Sequence, residues 1–537
     1  MARPADDAPR LVYADWCDEQ GHGDEAALIR LQCRLAHESL PDAAGIAESR
    51  RLLPRPEASW AAGLDHQRGA SSGVEVRYRR GLPHRVLVYV SAVSMGSSES
   101  DFRRNDVAWP LLNELMSELA PRLPTVQEVV IVAQGVAWRT VDQLTPALAT
   151  WRHLDSFKMV LPGLVTAEAL RGLFEATSLR SFVIETQHMR SDAVLAVLQE
   201  ALPASRLEHF EWGMPEDRRH GSPDLAEGAF SGLWDHFVGL RSLALPSFPC
   251  SDWSCVARCE RLEELTLAAP STPSSLENTS HLPLRSVALL GSSDAVIAAL
   301  PPWRDLTHLT IGRHPGRSWW TGDEPVITRL DALGRLESLR SLKLSVLDKR
   351  LTAQLPRFAP VLRRLDLGSV ELDDVAGLAG LSDLRALQFF APGGRFWDDD
   401  APWTDAQDAA YVARCTRALS ELPRPLRALK MMLYRASVAP LAGMDLAMID
   451  LHSIHPVSGL EVLGGLPLEQ VRLRSDVDAG AVTVMGRLLR VRVLDIHSYP
   501  DPARARYPSL AHLMNDDSPW RSVVAHPSWR DWVSLVP

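Results

Sequence analysis

Residues 240–311 decide the fold. Leu240-Arg241-Ser242-Leu243-Ala244-Leu245 is followed by Leu262-Glu263-Glu264-Leu265-Thr266-Leu267, by Leu284-Arg285-Ser286-Val287-Ala288-Leu289 and by Leu306-Thr307-His308-Leu309-Thr310-Ile311. Each copy begins 22 residues after the last and is apolar at its first, fourth and sixth positions. The closing positions alternate, as a strand with one buried face does. The rest of each period has to carry the chain back and start the next strand alongside, so the strands pile up in parallel. One coil cannot bury its own leucines. Burial contributes roughly 1.5–3 kcal/mol per leucine, and it becomes available only between neighbouring coils.

The pattern extends in both directions. It continues at Leu339-Leu342-Leu344, Leu362-Leu365-Leu367 and Leu384-Leu387-Phe389, then at Leu426-Leu429-Met431, Leu446-Ile449-Leu451, Leu468-Val471-Leu473 and Val491-Leu494-Ile496. Weaker copies precede it at Val126-Val129-Ile131, Leu154-Phe157-Met159, Leu179-Phe182-Ile184 and Leu207-Phe210-Trp212, and a strand at Val86-Val88-Val90 opens the series. The period and signature resemble those of leucine-rich repeats. The resemblance implies an α/β solenoid, an irregular leucine-rich-repeat horseshoe with a parallel β-sheet on its concave face. The array is expected over 74–497, in about 15–16 coils lengthened at 213–239, 312–338 and 390–425, with a C-terminal cap at 498–537. Well-formed repeats carry asparagine three residues after the third apolar position. Here that place holds Phe248, Pro270, Ser292, His314, Leu347, Val370 and Pro392. Without that ladder the sequence predicts uneven curvature, and a degraded register over 130–240.

Residues 1–60 read differently. Asp6 or Asp7 can cap a helix, Pro9 suits its first turn, and Val12 and Trp16 share a face. Gly21 and Gly23 break it. A second helix, capped by Asp24, presents Leu28, Leu31 and Leu35. The string Pro9-Arg10-Leu11-Val12-Tyr13-Ala14-Asp15-Trp16 with Ile29-Arg30-Leu31-Gln32 resembles the short repeat-companion domain at the N-terminus of bacterial repeat proteins. Trp60, and the step from Arg79-Arg80-Gly81 into a strand, resemble the segment C-terminal to that module in its relatives. The resemblance implies an N-terminal helical cap beside a repeat array, and no established chemistry. Two departures stand out: Cys17 sits where relatives carry leucine, and there is no room for a helix ahead of Asp6.

The totals narrow the function. Lys+Arg number 57 against 67 Asp+Glu, a formal net charge of -10. That balance argues against sequence-independent binding to nucleic acid, which needs a basic surface to displace counterions. Six cysteines in 537 residues are too few for a disulfide scaffold and read as a reducing compartment. The first seven residues lack the apolar core of a signal peptide, and no run of about 18 apolar residues suggests a membrane span. A cytoplasmic protein is expected.

Chemistry-bearing motifs are missing. There is no Gly-x-x-x-x-Gly-Lys-Ser/Thr, no His-Glu-x-x-His and no Gly-x-Ser-x-Gly. Cys250, Cys255 and Cys259 match no common metal spacing, and Cys255 and Cys259 read as small apolar residues facing inward. No enzyme, no cofactor and no metal is expected. A remote alternative is a resemblance to leucine-rich-repeat ubiquitin ligases, with Cys415 in the 390–425 insert as the only cysteine in a long excursion.

The reading that remains is a scaffold binding a protein partner. Arginine stands just after the first apolar residue at Arg180, Arg241, Arg285, Arg340, Arg363, Arg385, Arg427 and Arg492. Parallel neighbours lie about 4.8 Å apart, so these can form a stripe for an acidic surface, or can simply cover apolar sheet with their stems. Asp450, Arg472 and Asp495 occupy equivalent positions and should form a charge-alternating ladder; His452, Arg474 and His497 do likewise. Trp319 and Trp320 in the second insert, and Trp397 and Trp403 in the third, are candidate contacts, because interface energy concentrates in tryptophan, tyrosine and arginine. An alternative is a ligand-sensing or recognition subunit of a bacterial signalling or defence assembly, working with a separate effector.

Overall fold

The computed structural model describes residues 7–37, 52, 72–79, 82–91, 116–121, 123, 125–134, 144–161, 166–186, 191–213, 232–246, 253–268, 272–291, 293–312, 329–346, 351–391, 404–453, 457–474 and 493–497. These fall into two compact units, one up to Leu290 and one from Gly291 onward. Both are built as leucine-rich-repeat solenoids.

The first unit carries β1 (Ser72–Arg79), β2 (Leu82–Ser91), β3 (Glu128–Gln134), β4 (Ser156–Leu161), β5 (Ser181–Thr186), β6 (His209–Gly213), β7 (Ser242–Leu245), β8 (Glu264–Ala268) and β9 (Ser286–Leu290). From β2 to β9 each strand pairs in parallel with the next. The second unit carries β10 (His308–Gly312), β11 (Ser341–Val346), β12 (Arg364–Ser369), β13 (Ala386–Ala391), β14 (Ala428–Leu433), β15 (Met448–Ser453), β16 (Gln470–Arg474) and β17 (Val493–His497), again parallel in chain order. The apolar triplets set the register. Leu309, Leu342, Leu365, Leu387, Leu429, Ile449, Val471 and Leu494 are matched strand to strand, and all but Leu494, whose side chain is not described, are buried.

A second device pins the coils where the strands begin. The carbonyl after the first apolar residue accepts two N–H groups from the next coil. Arg340 O takes Arg363 N–H at 2.8 Å and Arg364 N–H at 2.9 Å; Arg385 O takes Arg427 at 2.8 Å and Ala428 at 2.9 Å. The same pairing runs through Gln127, Asp155, Arg180, Glu208, Arg241 and Glu263 in the first unit. It uses both lone pairs of an acceptor that a simple ladder would half satisfy. Of the positions where asparagine was looked for, Val370 is described: it is buried, and its N–H donates to Phe390 O at 2.9 Å. The others lie outside the described residues.

Among the described residues, the degraded register expected over 130–240 is not found. Phe157, Phe182 and Phe210 are in register on β4, β5 and β6. Their rings stack with centroids 6.3 Å apart at each step, and Phe237 stacks on Phe210 at 5.4 Å. Phe174 meets Phe182 edge-on at 5.3 Å. These rings are buried, and their aromatic contacts add to what burial contributes.

The return element differs from coil to coil. The longer coils of the first unit return through helices α3 (Leu144–Ala149), α4 (Ala167–Ala176) and α5 (Ser191–Ala201). Thr166 caps α4 by accepting the Ala169 N–H. Two of the 22-residue coils return through tighter 3-10 turns at Trp253–Arg258 and Pro273–Thr279, and the next one through a short α-helix at Asp294–Ala298. Where turns stack closely, glycine is required. Gly459 has φ +75, and a Cβ there would lie 2.7 Å from Ala439 N in the preceding coil. Gly443 has φ +72 with nothing nearby.

Two expectations need correction. The array opens with an antiparallel hairpin, β1 on β2, rather than with a lone strand. The N-terminal hairpin, α1 (Ala8–Glu19) and α2 (Gly23–His37), is present. Val12 and Trp16 share a face, and it is not the face that packs. Ala14 and Cys17 are buried with Ala26, Ile29, Cys33 and Leu82, whereas Val12 is 68% and Trp16 49% exposed. Small residues let the two helices approach closely. Asp7, the N-cap of α1, pairs with Arg10 at 3.6 Å, and Asp24 lies inside the first turn of α2 instead of capping it. Leu28 and Leu31 pack with Leu52.

Four substitutions, in two pairs, check this account by urea unfolding of the full chain. Phe182→Ala should cost about 3–5 kcal/mol, while Val12→Ala should stay within about 0.5 kcal/mol. Gly443→Ala should cost about 1–2 kcal/mol for left-handed backbone, and Gly459→Ala clearly more because the neighbouring backbone must also move. Equal losses within either pair would contradict the packing described.

Candidate interaction surface

On strands β4 to β16 the residues between the buried apolar positions face away from the core, and register turns them into rows. In the second unit the central row reads Thr310, Lys343, Asp366, Gln388, Lys430, Asp450, Arg472 and Asp495. Lys343 Nζ lies 3.5 Å from Asp366, and Asp450 lies 4.0 Å from Lys430 and 3.8 Å from Arg472. Both aspartates are almost fully buried, at 5% and 4% exposed. The expected Asp450–Arg472 pair is therefore part of a longer charge-alternating row that includes Lys430, with a second pair at Lys343–Asp366. Asp495 is placed in register with Arg472 by its backbone. His452, Arg474 and His497 are likewise matched strand to strand.

Beside this row, Ala386, Ala428, Ala447 and Met448 form a small buried apolar cluster of their own. In the first unit the equivalent rows are more neutral, with Ala244, Thr266 and Ala288 in register.

The arginines lie one step back, at the entry to each strand. In the first unit they alternate with carboxylates. The order is Asp155, Arg180, Glu208, Arg241, Glu263, Arg285, fixed by the backbone pairing. Arg180 reaches Asp155 at 2.6 Å and Glu208 at 4.0 Å; Glu263 binds Arg241 and lies 3.9 Å from Arg285. The Arg241 hydrogen bond holds the Glu263 carboxyl below its ordinary range, and Asp155 and Glu263 raise the Arg180 and Arg241 guanidiniums. Reading arginines alone hid these interleaved acids. In the second unit the order is Thr307, Arg340, Arg363, Arg385, Arg427, with no acid between the arginines.

The 390–425 insert is organised where it is described. Its helix α6 (Asp405–Ser420) opens with a capping box between Thr404 and Gln407. Tyr411 Oη donates to Ala391 O at 2.6 Å and accepts the Tyr434 N–H at 3.1 Å, so one hydroxyl ties the helix to β13 and to the segment after β14. Arg435 pairs with Asp408, and Arg414 lies 3.1 Å from both Glu371 and Asp373. Trp319, Trp320, Trp397 and Trp403 lie outside the described residues.

Cys415, on the same helix, is fully buried and donates to Arg435 O at 3.4 Å; burial pushes its thiol up to about 12. Cys259 is buried and pushed up to about 12 for the same reason. A nucleophilic thiol needs the reverse setting, exposed and electropositive. Cys255 is half-buried. Among the described residues no helix is long and apolar enough to cross a membrane.

No known family profile and no curated protein matches the chain. Solved structures with a similar fold include internalin inlF of Listeria monocytogenes, 13% identical, covering 75% of this chain and 95% of that one at TM-score 0.31. The Rad7–Elc1 complex of yeast is 14% identical, covering 62% and 89% at TM-score 0.36. Internalin C2 of Listeria monocytogenes is 14% identical, covering 49% and 83% at TM-score 0.23.

Two measurements test these placements. Asp450→Ala should cost about 3–5 kcal/mol, because it leaves two cations facing each other beside a nearly dry position, while Asp155→Ala, in an exposed pair, should cost less than about 1 kcal/mol. Iodoacetamide at pH 8, mapped by mass spectrometry on the native chain, should leave Cys259 and Cys415 unmodified; rapid labelling of Cys415 would contradict its placement.

Proposed function

We propose that the chain is a scaffold without chemistry of its own, which holds a protein partner on the open face of its sheet and on the strand entries beside it. The observation that supports this reading is register. Side chains from coils far apart in sequence repeat at a strand's pitch of about 4.8 Å, so a partner meets an ordered lattice of groups rather than a loop. The central row of the second unit spends its charges on itself, which gives rigidity, and half-buried Thr266 and Thr310 leave other parts of the face free of ion pairs. Trp319, Trp320, Trp397 and Trp403 are proposed from the sequence as a second contact set.

The test is affinity capture with the tagged full chain from its native cells, repeated with Thr266→Arg, with Thr310→Arg and with the four tryptophans changed to alanine. At least one protein captured by the parent should be lost with an open-face variant whose unfolding midpoint is unchanged. A captured set identical for all versions and for the bare matrix would refute the scaffold. Recovery of an effector enzyme as the principal partner would make this chain the recognition subunit of a larger assembly.

A further inference from the structure

The strand entries of the two units carry the same backbone pairing and opposite charge logic. In the first unit every arginine of the row has a carboxylate in an adjacent coil. In the second unit the pairing that locks the coils also aligns Arg340, Arg363, Arg385 and Arg427 as immediate neighbours. Like charges opposite each other on adjacent strands oppose folding, yet here four stand in succession.

Their local partners leave most of that charge unused. Arg340 Nη1 donates to the backbone carbonyls of Glu337 at 3.1 Å and Leu339 at 3.3 Å, and Arg385 Nη1 to Ser382 O at 3.4 Å. Each guanidinium has further N–H donors in its planar fork. Among the described residues, no carboxylate forms an ion pair with Arg340, Arg363 or Arg385. Arg427 does have one, exposed Asp445 at 2.7 Å. Arg363 is exposed, Arg340 and Arg385 are half-buried. The row is thus a cationic edge on a chain whose formal net charge is -10.

We propose that this edge docks an acidic segment of the partner protein, lying across the strand entries with its carboxylates on successive guanidiniums. This deepens the scaffold reading and rests on it. Charge complementarity selects the occupant. Arginine forks match carboxylates in pairs, while a nucleic acid would meet the repulsion of an acidic protein all around the strip. From Arg340 to Arg427 the row spans three strand spacings, about 14 Å, which about four to five residues of extended chain cover.

The probe is a fluorescein-labelled polyglutamate peptide of about twelve residues, long enough to overrun the row. Its anisotropy is measured with the full chain, alongside polylysine and polyuridylate. Saturable binding to polyglutamate is expected, weakening with salt. The variant R340Q/R363Q/R385Q should bind on the order of tenfold more weakly, and R180Q/R241Q/R285Q within about twofold of the parent. The first variant should unfold at the same midpoint as the parent or higher, since it relieves like-charge repulsion; a lower midpoint would mean the arginines are structural and would overturn the proposal. Equal losses in both variants, no binding of polyglutamate, or preference for polyuridylate would also overturn it. Affinity capture separates this failure from that of the scaffold. If Thr266→Arg or Thr310→Arg removes a partner that R340Q/R363Q/R385Q retains, the edge falls and the scaffold stands. If no version captures anything specific, the scaffold falls.

Discussion

Stacking of one coil on the next is the interaction on which the rest depends. Each coil offers three apolar side chains that no other part of the same coil can cover, and a carbonyl at the strand entry with two open lone pairs. The next coil satisfies both, with leucine on leucine and two N–H groups on one oxygen. Because both contacts repeat at one pitch, every other position on the strand is forced into a row as well. Side chains with no reason to meet are brought together by a packing requirement, and their chemistry has to be arranged around it.

Two arrangements appear. Where Lys343 and Asp366, or Lys430, Asp450 and Arg472, fall into one row, the charges alternate and neutralise. At the strand entries the first unit does the same with Asp155, Glu208 and Glu263 between its arginines, and the second unit does not. The fold tolerates an unneutralised row because Arg363 and Arg427 are exposed and Arg340 and Arg385 only half-buried, so the charges stay within reach of water and screening ions. That separates what the solenoid needs from what its surface is free to offer.

The strands were legible because apolar spacing is the direct imprint of coil stacking; Leu243, Leu265, Leu342 and Leu365 are buried as their spacing requires. The aromatic coils read as weak copies only because phenylalanine replaces leucine; in space Phe157, Phe182 and Phe210 make a continuous stack. Strand β1 shows the alternation Val74-Glu75-Val76-Arg77-Tyr78 but carries no repeat triplet, since a terminal antiparallel strand has no coil beyond it to bury one. Spacing alone put Val12 and Trp16 on one side of α1 but could not say which side packs; small Ala14 and Cys17 settled that through close helix approach. The ladder at Asp450 and Arg472 was readable from equal positions in consecutive copies. The neutralising acids Glu208 and Glu263 occupy the arginines' own position in neighbouring copies, and the spacing of arginine alone does not reveal them.

The Tyr411 hydroxyl has a mechanical consequence. It joins β13 to the chain beyond β14 across the longest excursion between repeats, and Arg414 and Arg435 brace the same helix on either side. A solenoid pulled from its end peels coil by coil, each rupture costing little more than the last. A clasp spanning two coils couples their release, so the coils of β13 and β14 are tied together where the long excursion would otherwise leave them joined by the sheet alone.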